Sequence, residues 1–224
     1  MSSVVVEAAL RRERRIADTL FWIQIVCALG FGLAQLLAMR NSIQGVSITW
    51  IALWFAFLVV NLVLATNALR AHPDRVIRQT VVIYAVWSVV CAVNLVYLLG
   101  AGAVWNEIDT VTASITSAGV LGAIAVGLIS GAGVGDPYVR ATFAVFCKGV
   151  PQLTLAWNIW RHGGDGIAAY AFLTGHITIG LRLWQVVYSI RAAGWDRNRI
   201  GIAVGEAANE LSWIVATAVW LLAG

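Results

Sequence analysis

The chain has 224 residues, 60% of them hydrophobic and 12% charged, with a formal net charge of +4. A soluble domain is about half apolar and a quarter charged, so this composition excludes an ordinary water-soluble globule. Three prolines and a mean hydropathy of +0.83 exclude disorder and collagen-like sequence, which leaves a polytopic helical membrane protein.

A helix needs about 20 apolar residues to cross roughly 30 Å of hydrocarbon. Such runs occur at Thr19–Met39, Ser47–Leu69, Thr80–Leu99, Thr112–Gly131, Tyr138–Trp160, Gly166–Ile190 and Gly201–Leu222. Seven spans with short connections leave no room for a soluble domain, so function must reside inside the bundle. Cys27, Cys91 and Cys147 each lie in an apolar run without a neighbouring metal-ligand set, and read as reduced core residues.

Ahead of the first span lies a basic tail, residues 1–18, with Arg11, Arg12, Arg14 and Arg15. It resembles a signal-peptide n-region, but the apolar run is too long and no cleavage site follows, so the segment is expected to remain as a helix. Arg70, Arg75, Arg78, Arg140, Arg191, Arg197 and Arg199 fall on the tail's side of the bundle, and only Arg40 and Arg161 fall on the other. That asymmetry predicts a cytoplasmic N-terminus and an external C-terminus. A bacterial-type plasma membrane is the expected location. The positive charge thus sets orientation, and a nucleic-acid partner is not expected.

The first and fifth spans carry similar runs, Gly32-Leu33-Ala34-Gln35 and Gly149-Val150-Pro151-Gln152. After each Gln comes a polar turn, with Arg40-Asn41 in one half and Asn158 with Arg161 in the other. A Gly-aliphatic-small triplet then opens the next span: Gly45-Val46-Ser47 and Gly166-Ile167-Ala168, followed by Trp50 and Tyr170. A three-helix unit repeated after one spacer span keeps both units in the same orientation. The fourth span, rich in small residues from Ala118 through Gly133, fits the spacer and allows close helix approach. Residues 19–100 and 137–224 are the two units, with an outer loop and the spacer over 101–136.

These residues resemble the PQ-loop family, which includes cystinosin-like amino-acid carriers, the SWEET sugar carriers and the KDEL receptor. Lys148-Gly149-Val150-Pro151-Gln152 looks like the Lys-x-x-Pro-Gln of cystinosin-like members. The first half departs from the pattern, having Ala34 where the family has Pro. The predicted direction is also opposite to that of eukaryotic seven-helix relatives. The resemblance implies a 3+1+3 fold and transport of a small polar solute, sugar or amino acid, by alternating access.

Pro151 lacks an N–H and clashes with the preceding turn, which predicts a kink near Phe146–Cys147. In the family such kinks resemble hinges; the alternative is a static kink whose freed backbone groups are satisfied by neighbours. Gln35 and Gln152 place amides in apolar spans, either to contact solute or to tie helices together. Lys148, the only lysine, lies too deep to snorkel and needs a partner. Glu206, Asn209 and Glu210 on the seventh span are candidates, and the two glutamates share a helix face. Glu210, the deeper, is the first choice as Lys148's partner or as a proton carrier, while Glu206 is expected to snorkel or pair with a loop arginine. A static Lys–Glu pair joining the fifth and seventh spans is the alternative.

Arg182 is expected to snorkel, and His176 to relay protons or sit as a hydrogen-bonded core residue. In the sugar carriers, one Asn from the third and one from the seventh helix bind solute, which the resemblance carries over to Asn94 and Asn209. Interhelical bonding is the alternative for both and for Asn61. Trp22, Trp105, Trp160 and Trp220 read as interfacial anchors. Trp87 and Trp213 wall a solute cavity or fill the core.

A retinal protein needs a lysine in the last helix, and the only lysine lies in the fifth. A hydrolase needs a nucleophile–base pair or metal carboxylates, and neither motif nor intrahelical aspartate is present, so an enzyme is not expected. The two surviving functions are a secondary carrier, with protons as a possible second cargo, and a non-transporting receptor or lipid-handling helper. No cofactor or metal is expected; the bilayer, a small polar solute and a second copy of the chain are the partners considered.

Overall fold

The computed structural model of the chain describes residues 3–133 and 136–223, with side chains described from Arg15 onward. Arg11, Arg12 and Arg14 of the expected basic tail, as side chains, and Gly224 at the end of the second unit lie outside the described residues. The described regular structure is helical: α1 (Ser3–Asn41), α2 (Ile48–Ala71), α3 (Arg75–Gly100), α4 (Glu107–Ile129), α5 (Pro137–Ala144), a π turn (Val145–Gly149), α6 (Val150–His162), α7 (Ala169–Ala193) and α8 (Arg197–Ala223). The π turn joins α5 to α6 without a break, so the described chain forms seven rods.

Helix starts follow side-chain caps. Ser47 accepts from Trp50 N–H ahead of α2, Asp74 from Val76 and Ile77 N–H ahead of α3, and Asp136 from Tyr138 N–H ahead of α5, where Pro137 occupies the first turn. At α4, Asn106 and Asp109 bond to each other's backbone N–H in a capping box. Asp109 therefore stands in the first turn of a helix, and Asp18 stands within α1. The expectation that no aspartate falls inside a helix is corrected: the Asn106-x-x-Asp109 signature begins α4 before its apolar run. α1 is helical from Ser3 onward and so takes in the described part of the basic tail.

α1 from Arg15, α2, α3 and α4 are each long and apolar enough to cross a membrane. The remaining rods are more polar. The fifth is interrupted by the π turn, α7 carries His176 and Arg182, and α8 carries Glu206, Asn209, Glu210 and Ser212. Large apolar side chains such as Leu33, Val96 and Leu121 are exposed on the outside, as a lipid-facing surface requires.

α3 packs along both α1 and α2, and α8 packs along α5, α6 and α7. Between these groups, α1 meets α7, and α2 meets α6 and the π turn. α4 lies at the side, against α2, α5, the π turn and α6.

At one end, here called the basic end, Arg75 at the start of α3 holds Asp18 of α1 at 2.7 Å, Gln79 adds a 2.7 Å bond to Asp18, and Arg197 reaches Asp136 at 3.1 Å. At the opposite end the connections before α2 and α7 meet. Gln35 Nε2 donates to Gly166 O at 2.7 Å, Asn158 Nδ2 donates to Gly45 O at 2.8 Å, and Gly166 N–H donates to Gln44 O at 3.0 Å. Gln44 Nε2 also donates to His162 O. Gly45 has φ +80°, and a Cβ there would strike Gly163 O, so both backbone conformation and close approach require glycine.

Candidate functional site

The site begins with a broken ladder. Val150 N–H reaches back five residues to Val145 O, the π register. The next donor in that register would be Pro151, which has none, so Phe146 O is left free and Thr116 of α4 donates to it at 3.0 Å. The predicted distortion at Phe146–Cys147 is this π turn, and its satisfaction by a neighbouring hydroxyl is the usual repair within a bilayer. Gly119, one turn further along α4, packs against the Phe146 ring, leaving no room for a Cβ.

The π turn carries Lys148, which is buried with 6% exposure. Its Nζ lies 3.2 Å from Glu206 Oε2 and 3.4 Å from Oε1, and 4.9 Å from the centroid of the Phe57 ring. Arg182 of α7 reaches Glu206 Oε1 at 3.3 Å and covers Tyr84 at 5.5 Å. Asn209 donates to Glu206 Oε2 at 3.4 Å and accepts from Gln152 Nε2 at 3.0 Å; Ser212 donates to Gln152 Oε1 at 2.5 Å. One chain of polar contacts thus runs from Ser212 through Gln152, Asn209 and Glu206 to two cations on different rods.

Beside it stands an aromatic box. Trp50 stacks on Trp213 at 6.0 Å, Trp54 lies 5.1 Å from Trp87, and Phe31 meets Trp54 and Trp87 edge-on at 5.1 and 5.5 Å. Trp213 Nε1 donates to Phe172 O at 3.2 Å. The box and the cluster enclose a cavity of ≈ 50 Å³, with Thr178 among its lining residues. A water's share of liquid volume is about 30 Å³, so this cavity admits at most a few waters as it stands. Two wider cavities, ≈ 450 Å³ between α2, α4, α5 and α8 and ≈ 380 Å³ between α1, α3, α7 and α8, adjoin Glu206 and Arg182 from the basic end.

A second polar pair lies further along α8. His176 Nδ1 is 2.7 Å from Glu210 Oε1, His176 Nε2 is 2.9 Å from Thr217 Oγ1, and Thr217 Oγ1 bonds Trp213 O at 2.8 Å. With the Thr217 hydrogen directed to Trp213 O, its oxygen accepts from Nε2–H, and the tautomer is fixed by that assignment. One proton must then lie between Nδ1 and Oε1, because two lone pairs cannot face each other at that distance. The His176–Glu210 pair is assigned as a one-proton site.

The structure brings together Lys148, Glu206, Gln152, Asn209, Trp87 and Trp213. It corrects the pairing, since the partner of Lys148 is Glu206 and Glu210 belongs to His176. Arg182 does not snorkel, because its guanidinium turns inward to Glu206. Asn94 is buried on α3 but bonds Val90 O of its own helix at 2.9 Å and is absent from the cavity wall that holds Asn209. Asn61 likewise bonds its own helix, at Phe57 O. Gln35 and Gln152 occupy matching sequence positions yet act differently: Gln35 holds the far end, and Gln152 joins the cluster. Trp22, Trp105 and Trp160 are exposed, whereas Trp220 packs on Phe172 and donates to Gly164 O at 3.3 Å. Trp54, Phe31 and Thr178 had no motif to mark them; their only sequence signal is a helical position on an inward face. No family model, curated protein or solved structure matches this chain.

Proposed function

We propose that the protein is a secondary carrier of a small polar solute, working by alternating access between two three-helix units joined by a spacer. The observation that carries this reading is a buried cluster of opposite charges, adjoined by wide cavities from the basic end and separated from the other end by amide–carbonyl bonds. Buried charges in a membrane bundle mark solute or ion pathways. An arrangement with access from one side and a latch on the other is one of the two states a carrier needs.

The packing is compatible with 3+1+3 units. In each proposed unit the third helix lies between the first and second, and contacts between units run first to second in both directions. The resemblance to PQ-loop carriers is part of the same proposal. In this reading the basic end is cytoplasmic, consistent with the arginine distribution, and the membrane is of the bacterial plasma type. A C-terminal reporter active only in the cytoplasm is expected to stay dark.

Proton coupling is assigned to the His176–Glu210 pair, which holds one proton between two side chains on different helices. Liposomes containing the purified protein test the whole reading. Flux of a sugar, amino acid or organic acid is expected, and Glu210→Gln is expected to abolish accumulation driven by a pH gradient while retaining exchange. Absence of flux together with tight binding of a peptide or lipid would establish the receptor or lipid-handling function instead.

A further inference from the structure

Arg182 and Glu206 border all three cavities, Lys148 borders the central one, and Arg140 borders the widest. Three basic side chains thus face a single carboxylate on these walls. Glu210, the next acid along α8, is engaged by His176, and Tyr84 contributes a ring beneath Arg182. The buried ammonium and carboxylate and the half-buried guanidinium sum to one positive charge, in a setting where an isolated charge is costly.

The donors are also in excess. A lysine has three N–H donors and an arginine five, and at this site Lys148 and Arg182 share one acceptor group, Glu206, at 3.2 to 3.4 Å. Charge-assisted bonds in a closed pair run nearer 2.7–2.9 Å, so neither cation is fully committed. Excess charge and spare donors both call for an acceptor that carries a negative charge.

We infer that this is an anion site for a small organic acid with one carboxylate, which accepts from Lys148 and Arg182 while its apolar body lies against Trp54, Trp87 and Trp213. This rests on the carrier reading above. A neutral sugar leaves the positive charge uncompensated, and a zwitterionic amino acid adds a third cation beside Glu206. Entry is through the ≈ 450 Å³ cavity, and occupation requires the ≈ 50 Å³ cavity to widen by movement of the aromatic box.

Purified protein in detergent is heated with pyruvate, phenylpyruvate, neutral methyl pyruvate, alanine, glucose or oleate, and the same solutes are offered for exchange in proteoliposomes. Pyruvate or phenylpyruvate is expected to raise the melting temperature and to exchange, and methyl pyruvate to do neither. Lys148→Met leaves a neutral Arg182–Glu206 pair, so it is expected to fold and to weaken acid binding roughly 10- to 100-fold, the worth of a hydrogen bond to a charged group. Lys148→Arg is expected to restore it. Acids that bind without exchanging leave the anion site standing and overturn the carrier reading. Exchange of alanine or glucose with no effect of the acids overturns the anion site and leaves the carrier. Stabilisation by oleate alone, or unaltered acid binding in Lys148→Met, also overturns it.

Discussion

Asn158 stands to Gly45 as Gln35 stands to Gly166: each amide, late in the first rod of one half of the chain, donates to the carbonyl of the glycine ahead of the second helix of the other half, at 2.8 and 2.7 Å. Each bond ties a helix of one half to a connection of the other, and a Gly166 N–H to Gln44 O bond of 3.0 Å joins the two connections directly. Gln35 is closed further by Ala168 N–H at 3.3 Å. The far end of the bundle is therefore held by backbone carbonyls and three side-chain amides, Gln35, Gln44 and Asn158, a set that can be released without breaking any helix.

Gln35→Leu and Asn158→Leu are each expected to lower stability by about 1–3 kcal/mol, the cost of a buried carbonyl left unpaired. Because the two connections they hold are themselves joined by the Gly166–Gln44 bond, loss of one loosens what the other holds. The double variant is thus expected to lose at least ~0.5 kcal/mol less than the sum of the two single losses. Denaturation of the four proteins in detergent measures the coupling, and simple additivity would mean that the bonds act independently.

Glu206 is the only carboxylate bridging two rods in the central cluster among the described residues. Its replacement by leucine leaves Lys148 and Arg182 without a counter-charge, and an uncompensated buried charge costs about 3–5 kcal/mol. Combining Glu206→Leu with Lys148→Met removes one of those charges, so part of the loss is expected to return. Melting temperatures of the two variants decide this; a double variant weaker than Glu206→Leu would show that Lys148 stabilises through packing alone.

Helix number and positions were legible because the bilayer imposes length and apolarity on each segment. The distortion at Phe146–Cys147 was legible for an equally local reason, the missing N–H of Pro151. Partner choice was not, since Glu206 and Glu210 are one turn apart on α8 and their selection depends on how α8 is rotated toward the π turn and α7. Arg182 was misread because distance from a helix end measures snorkelling reach but says nothing about an acid on the neighbouring helix. The match of Gln35 to Gln152 followed sequence similarity, whereas the chemical counterpart of Gln35 is Asn158, which likewise holds a glycine carbonyl of the other half. Such a correspondence is fixed only when both connections are in place.

Gly175 on α7 faces the Trp213 indole, with no space for a Cβ. Gly175→Ala is expected to push Trp213 off Phe172 O and disturb its stack on Trp50, at a cost of about 1–3 kcal/mol for overpacking. Near-ultraviolet circular dichroism reads the aromatic box directly. An unchanged spectrum with unchanged stability would show that the box has room to yield.

Thr116 tests whether the π turn is held or free. Its hydroxyl is the partner of Phe146 O at 3.0 Å, and the carbonyl has no intrahelical donor in the π register because Pro151 follows. Thr116→Val keeps the shape and removes the donor, leaving a carbonyl unsatisfied where water is scarce. Stability is expected to fall by about 1–3 kcal/mol, and Thr116→Ser is expected to recover most of it. If the π turn is the hinge on which Lys148 moves during exchange, the two variants differ in rate as well: Thr116→Val is expected to change the exchange rate, and Thr116→Ser to leave it close to that of the parent. A rate that follows neither variant would make the π turn a fixed mount for Lys148, with the movement carried by the latch at Gly45 and Gly166.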